Sequence, residues 1–211
     1  MTEELVKAEI SNIIYFVGGG ADKTRERFGV VRWGPTNLMG FAQVAFNMKK
    51  GPYSETAYFG YLDKKKIIQD IVKRKLANPK IRINLIGHSR GGAVAKDIAM
   101  KELRKLNIKA NIVISLDPVK AKRRHPFRVP SKKGVKNVKT YVCIFANPSR
   151  RDPTDFIAKV GGQYGFRLQT QSHYFVEADL NHGQPIPMMQ FPLNDKGKTV
   201  FDILLKESNK K

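Results

Sequence analysis

Cysteine is almost missing from this chain. Cys143 stands alone, so neither a disulfide framework nor a cysteine-ligated metal site can be assembled from it. It lies in the apolar run Tyr141 to Ala146, where a buried strand thiol is the expected role. Apolar runs long enough to span a bilayer are missing too. The opening residues, Met1-Thr-Glu-Glu-Leu-Val-Lys-Ala-Glu9, have neither the basic start nor the apolar stretch of a secretory signal. The expectation is a protein that is cytoplasmic where it is made, and that reaches a target cell, if at all, by a route that reads no such signal. Acidic residues are scarce: 18 Asp and Glu stand against 39 Lys and Arg, a formal net charge of +21. Lys120, Lys122, Arg123, Arg124, Arg128, Lys132, Lys133, Lys136 and Lys139 follow one another between positions 120 and 139 with no acid among them. Such a run favours an anionic partner, with a phospholipid membrane surface and nucleic acid as the two candidates, or else it is a solvated loop.

What the chain does contain is organised around Ile81 to Ala99. Ile81, Ile83, Leu85 and Ile86 make a branched apolar run of strand type, and Ala93 to Leu106 repeats Ala95, Ala99, Leu103 and Leu106 at helical spacing. Between them stands Gly87-His88-Ser89-Arg90-Gly91, the G-x-S-x-G pattern. Its small neighbours let strand and helix approach while the serine hydroxyl stands clear on a strained turn. Ser89 is therefore the candidate nucleophile. The first N–H groups of the helix after it are unpaired and carry positive dipole character, which makes the Arg90 amide a candidate oxyanion donor.

Elsewhere strands and helices alternate. Strands are expected at Ser11–Val17, Thr56–Tyr61, Ala110–Leu116, Asn137–Ala146 and Ser172–Ala178. Helices are expected from Asn37 to Met48 with Thr36 as cap and with Leu38, Phe41, Ala42, Ala45 and Phe46 on one face, and after Asp63 with Ile67, Ile68, Ile71, Val72 and Leu76 inward. Two more are expected at Thr154–Val160 and Thr199–Lys206. Phe28 to Trp33 reads as either a strand or cover for the site. At 211 residues the pattern suits one α/β domain over 1–211, a parallel sheet covered on both faces with active residues at the carboxyl ends of its strands. The first strand runs into Gly18-Gly19-Gly20, where backbone can approach a substrate closely. Gly18 and Gly19 are the candidates for the second oxyanion donor, against a plain glycine turn.

A serine nucleophile needs a base and an orienting acid. His88 sits inside the elbow and suits packing; His125 lies in the basic run. His173 starts a strand at what would be the wrong end of a parallel sheet. His182 comes after the last strand on a Gly-flanked loop, and the chain order Ser, Asp, His favours it. For the acid, Asp117 ends its strand directly, while Asp152 and Asp155 come after the next strand and could equally cap the helix beyond it.

Ile86-Gly-His-Ser-Arg-Gly-Gly-Ala93 resembles the nucleophile region of α/β-hydrolase lipases and esterases, and Leu116-Asp-Pro-Val119 resembles the catalytic-aspartate segment of pancreatic-type lipases. The resemblance implies the α/β-hydrolase fold, with Ser89, Asp117 and His182 as triad, hydrolysis of lipid or phospholipid esters, and no metal or organic cofactor. Phe16-Val-Gly-Gly-Gly-Ala-Asp-Lys23 with the same elbow is similar to small bacterial lipase-like hydrolases, including antibacterial effectors of type VI secretion; the sequence names no immunity or secretion partner. The glycine loop departs from lipases in lacking their His-Gly lead. A soluble carboxylesterase or thioesterase, and an inactive basic module binding nucleic acid or protein, are the other readings.

Overall fold

The computed structural model describes residues 9–20, 22, 37–120 and 136–211. Phe28 to Trp33, Thr36, His125 and the basic residues between 122 and 133 lie outside them. Six strands form one sheet: β1 (Asn12–Gly18), β2 (Ser54–Gly60), β3 (Arg82–His88), β4 (Ala110–Leu116), β5 (Val138–Ala146) and β6 (Tyr174–Ala178), in the order β2-β1-β3-β4-β5-β6. Every neighbouring pair is parallel, with Val17 beside Gly87, His88 beside Leu116 and Leu116 beside Ile144.

A parallel sheet must be covered on both faces, so its inner strands read as unbroken apolar runs. All seven residues of β1 are buried. Alternation sends Ile13, Tyr15, Ile83, Leu85, Val113, Tyr141 and Cys143 to one face, against Ile67 and Ile71 of α2 (Lys64–Ala77) and Ala95 of α3 (Arg90–Asp97). Ile14, Phe16, Ile86, Ile114 and Val142 face the other way, onto α1 (Leu38–Asn47), α6 (Pro185–Gln190) and α7 (Val200–Ser208). Each large aliphatic or aromatic side chain so buried contributes about 1.5–3 kcal/mol. The chain runs from β1 outward to β2 and then returns to β3 on the other side, so the strand order reverses at β1 and β3. A crevice opens at the carboxyl ends of such a pair, and both the glycine loop and Ser89 lie there.

Three apolar assignments differ from the helical spacing. On α1 the buried residues are Met39, Gly40, Ala42 and Phe46, while Phe41 is 59% exposed; the helix is apolar on more than one side, and spacing alone does not say which side faces inward. Leu76 is solvent-exposed at the end of α2. The elbow helix breaks into α3, a π turn at Ile98–Glu102 and the short α4 (Leu103–Lys105), which leaves Leu106 half-exposed beyond it. A π turn adds a residue and rotates the next turn of helix off the 3.6-residue face.

One charged residue is buried in the first core face. Lys96 on α3 is 3% exposed and its ammonium lies 5.1 Å from the Tyr164 ring centroid. Burial lowers its pKa to about 8, and pushes the Tyr141 and Tyr164 phenols and the Cys143 thiol upward, away from neutral pH. Between about pH 8 and the ordinary lysine value of 10.5 the unfolded chain holds this proton more tightly, so stability rises with pH across that window. Lys96→Met is expected to be more stable than wild type at pH 7 by about 2 kcal/mol, an advantage that shrinks toward pH 10. Urea denaturation at a series of pH values reads it.

Candidate active site

Ser89 joins β3 to α3 at φ 55°, ψ −124°, a conformation an L-residue adopts at a cost of about 1–3 kcal/mol. Neighbouring hydrogen bonds hold it there: its N–H donates to Leu116 O at 3.0 Å, and its carbonyl accepts from Val119 N–H at 3.0 Å and Ala93 N–H at 3.3 Å. The flanking glycines are required by space. A Cβ on Gly91 would stand 2.1 Å from the Val17 carbonyl oxygen, and one on Gly87 2.3 Å from that of Gly91. The turn therefore packs backbone against backbone and presents Ser89 to a cavity of about 470 Å³, shared with His88, His182, Arg90, Gly19 and Gly20.

His182, on the loop after β6, lines the same cavity. Its Nδ1 lies 2.5 Å from Asp117 Oδ2, and Asp117 has no exposed surface. With Nδ1–H donated to the carboxylate, Nε2 is left as the acceptor, the tautomer a general base requires. Asp117 is itself fixed at φ 39° after β4. Its N–H donates to Ile144 O at 2.7 Å, its Oδ1 accepts Ala146 N–H at 3.1 Å, and Gln163 Nε2 donates to Oδ1 at 2.7 Å and lies 2.9 Å from Oδ2. Among the described residues the Ser89 hydroxyl has no hydrogen-bond partner, and such contacts commonly tighten only when substrate is bound.

Asp152 and Asp155, the other acid candidates, take different positions. Asp152 caps α5 (Pro153–Val160), accepting from Thr154 N–H at 2.7 Å. Asp155 is buried and accepts the backbone N–H of His182 at 2.7 Å and Asn181 Nδ2 at 2.7 Å; it holds the histidine loop and not the imidazole. Asp155→Ala is expected to lower kcat about 100-fold, the scale of an ångström of misplacement, with KM little changed. Asp155→Asn, which keeps an acceptor for His182 N–H, should recover part of it in steady-state assays.

His88 is also buried. Its Nε2 donates to the His182 carbonyl oxygen at 2.6 Å, and the two rings lie tilted at 36° with centroids 4.6 Å apart. Burial, with the nearby His182 ring adding to it, lowers the His88 pKa to about 4. At neutral pH His88 is therefore uncharged. His173 lies at the start of β6 and its Nδ1 accepts Tyr141 N–H at 2.9 Å, away from the cavity.

The three oxyanion candidates are placed unequally. Arg90 opens α3 with its amide beside Ser89. Gly19 packs against the elbow, so that a Cβ there would meet Ser89 Cβ at 3.0 Å, but its N–H donates to Asp22 Oδ2 at 3.0 Å. Gly18 ends β1 opposite Gly60 and is not among the cavity-lining residues. Asp22, for which the sequence suggested no structural role, also caps α1 by accepting Leu38 N–H at 2.6 Å and Met39 N–H at 3.3 Å, which ties the glycine loop to that helix. Of the basic run, Lys120 pairs with Asp97 at 3.0 Å while Lys136 and Lys139 are exposed. Among the described residues no cluster of His, Cys, Asp or Glu could hold a metal ion, and no helix is long and apolar enough to cross a membrane.

No protein-family model and no curated protein sequence matches the chain. Solved structures do. A Listeria innocua gene product superposes with a TM-score of 0.51 at 13% identity, over 84% of this chain and 88% of that one. A candidate cell-surface hydrolase of Lactobacillus plantarum gives 0.50 at 11%, over 90% and 96%. A candidate hydrolase of the α/β superfamily from Xanthomonas campestris gives 0.48 at 16%, over 92% and 98%. With its six-stranded parallel sheet and helices on both faces, the chain has the α/β-hydrolase fold.

Proposed function

We propose that the chain is a serine hydrolase that cleaves carboxylic esters through an acyl-enzyme, with Ser89 as nucleophile, His182 as general base and then acid, and Asp117 as the carboxylate that orients it. The observation that carries this reading is the fully buried Asp117 bound to His182 Nδ1 beside the cavity into which the strained elbow presents Ser89. Ser89 Oγ attacks the ester carbonyl as His182 Nε2 takes its proton. The tetrahedral intermediate then expels the alcohol, which leaves with that proton, and a water activated by the same nitrogen releases the acid. Arg90 N–H is the first oxyanion donor. For the second, the Asp22 bond to Gly19 shifts the assignment from Gly18 and Gly19 toward Gly20, which also lines the cavity.

A lipid ester is the favoured substrate. Leu38, Val119, Ile157 and Ala158 give the cavity apolar walls for an acyl chain, and the Arg90 side chain, 5.4 Å from the Tyr61 ring centroid, places a cation there for an anionic head group. The resemblance to type VI effectors adds a proposed setting, a target-cell membrane. The test is labelling by an active-site fluorophosphonate, together with a hydrolysis panel of short esters, long esters and phospholipids. Labelling elsewhere than Ser89 overturns the assignment, and turnover restricted to short soluble esters overturns the lipid reading in favour of a carboxylesterase or thioesterase.

A further inference from the structure

We propose that α5 is a docking element for an anionic lipid surface, an inference that rests on the lipid-ester reading and adds where the chain meets its substrate. α5 turns Asp155 and Ala158 inward and presents Phe156, Ile157 and Val160 to solvent at 70%, 66% and 69% exposure. Bare side chains of this size, grouped on one short helix, mark a surface that something covers. Ile157 and Ala158 also line the cavity that holds Ser89 and His182, so the apolar strip is continuous with the site.

Charge selects the occupant. The ionisable residues from 150 to 160 are Arg150, Arg151, Asp152, Asp155 and Lys159. Asp155 is buried in the histidine loop and the exposed Asp152 is bonded into the helix cap, while Arg150, Arg151 and Lys159 are exposed and outnumber that one surface acid. Beyond the helix, exposed Phe166 carries Arg167 over its ring at 5.3 Å. An apolar strip rimmed by cations matches the two components of an anionic bilayer surface, acyl chains within and phosphate groups above them. A second copy of this chain, itself at +21, would bring like charge to the same rim.

The experiment uses the full chain carrying Ser89→Ala, sedimented with phosphatidylcholine vesicles with and without about one-third phosphatidylglycerol. Ile157 is left intact because it lines the cavity. The expected result is binding only to the anionic vesicles, weakened about ten-fold or more by Phe156→Gln with Val160→Gln and, separately, by Arg150→Glu with Arg151→Glu. With Ser89 restored, the apolar pair should keep turnover of a short soluble ester within about two-fold of wild type, since neither side chain reaches the cavity. Unchanged vesicle binding in both double variants overturns the proposal. So does light scattering in which Phe156 and Val160 drive self-association while vesicles go unbound. Vesicle binding that depends on α5 in a protein that turns over no ester would leave the docking surface standing and remove the hydrolase reading; ester turnover with vesicle binding indifferent to α5 would do the reverse.

Discussion

Ser89→Ala is expected to abolish ester hydrolysis, with kcat falling by about a million-fold, the scale seen when a triad nucleophile is removed from a serine hydrolase. The loss should be confined to chemistry. The hydroxyl makes no hydrogen bond among the described residues, and the backbone bonds that hold the turn, to Leu116 O and from Val119 and Ala93 N–H, do not involve it. Alanine must adopt the same φ of 55°, a strain the serine already carries, so the melting temperature should move by no more than about 3 °C, under 1 kcal/mol for a chain of this size. Steady-state assays read the first quantity and calorimetry the second. Fluorophosphonate labelling with intact mass gives an independent check, since wild type should gain one adduct and the variant none. Comparable turnover in both proteins would remove Ser89 from the mechanism.

Asp117→Asn is the second large effect, a fall in kcat of about ten-thousand-fold with the fold retained. The size comes from the hydrogen bonds around the carboxylate. Asp117 accepts from Ala146 N–H, Gln163 Nε2 and His182 Nδ1, and an asparagine can offer only one of its two termini as acceptor. If the amide oxygen keeps Ala146 and Gln163, the NH₂ group faces His182, whose Nδ1 must then accept, and the proton moves to Nε2, where it would block the proposed base. If the amide turns over, its NH₂ group faces the Ala146 and Gln163 donors instead, which leaves a buried clash. Turnover by Asp117→Asn within ten-fold of wild type would mean that another group orients the imidazole. Gln163→Leu, by comparison, removes a neighbour of the acid and leaves the tautomer alone, so its effect should be much smaller.

Much of the architecture was legible because parallel strands announce themselves as short branched apolar runs. Ala110–Leu116 is matched residue for residue, and the other strands differ by one to two residues at their ends. The elbow was legible for a local reason, since backbone contact at Gly87 and Gly91 demands glycine at those positions in sequence. Helix faces were less so. α1 is apolar on several sides, and α6 opens with Pro185-Ile-Pro187, which hides a short helix behind residues that read as loop.

The partners of the site were the hardest to see. Gln163 reaches Asp117 across 46 positions and His88 reaches His182 across 94, and nothing local in either sequence context signals the pairing. Asp155 left a trace, because Asp152 and Asp155 stand at capping-box spacing, but that spacing speaks of a helix start and not of the second carboxylate oxygen bound to His182 N–H. Asp22 is similar, a loop acid whose acceptors serve backbone from two separate elements.

The pairing of β4 with β5 carries a consequence for assembly. Asp117 comes directly after β4 but is pinned to β5, through its own N–H on Ile144 and its side chain on Ala146, and His182 stands on the loop after β6, which pairs with β5. A slip of one position between these late strands would carry the carboxylate about 3.3 Å along the sheet and turn its face. During refolding, helical signal can therefore return while the chain is still inert, and recovered turnover would report that the carboxyl-terminal half of the sheet has closed in its native alignment.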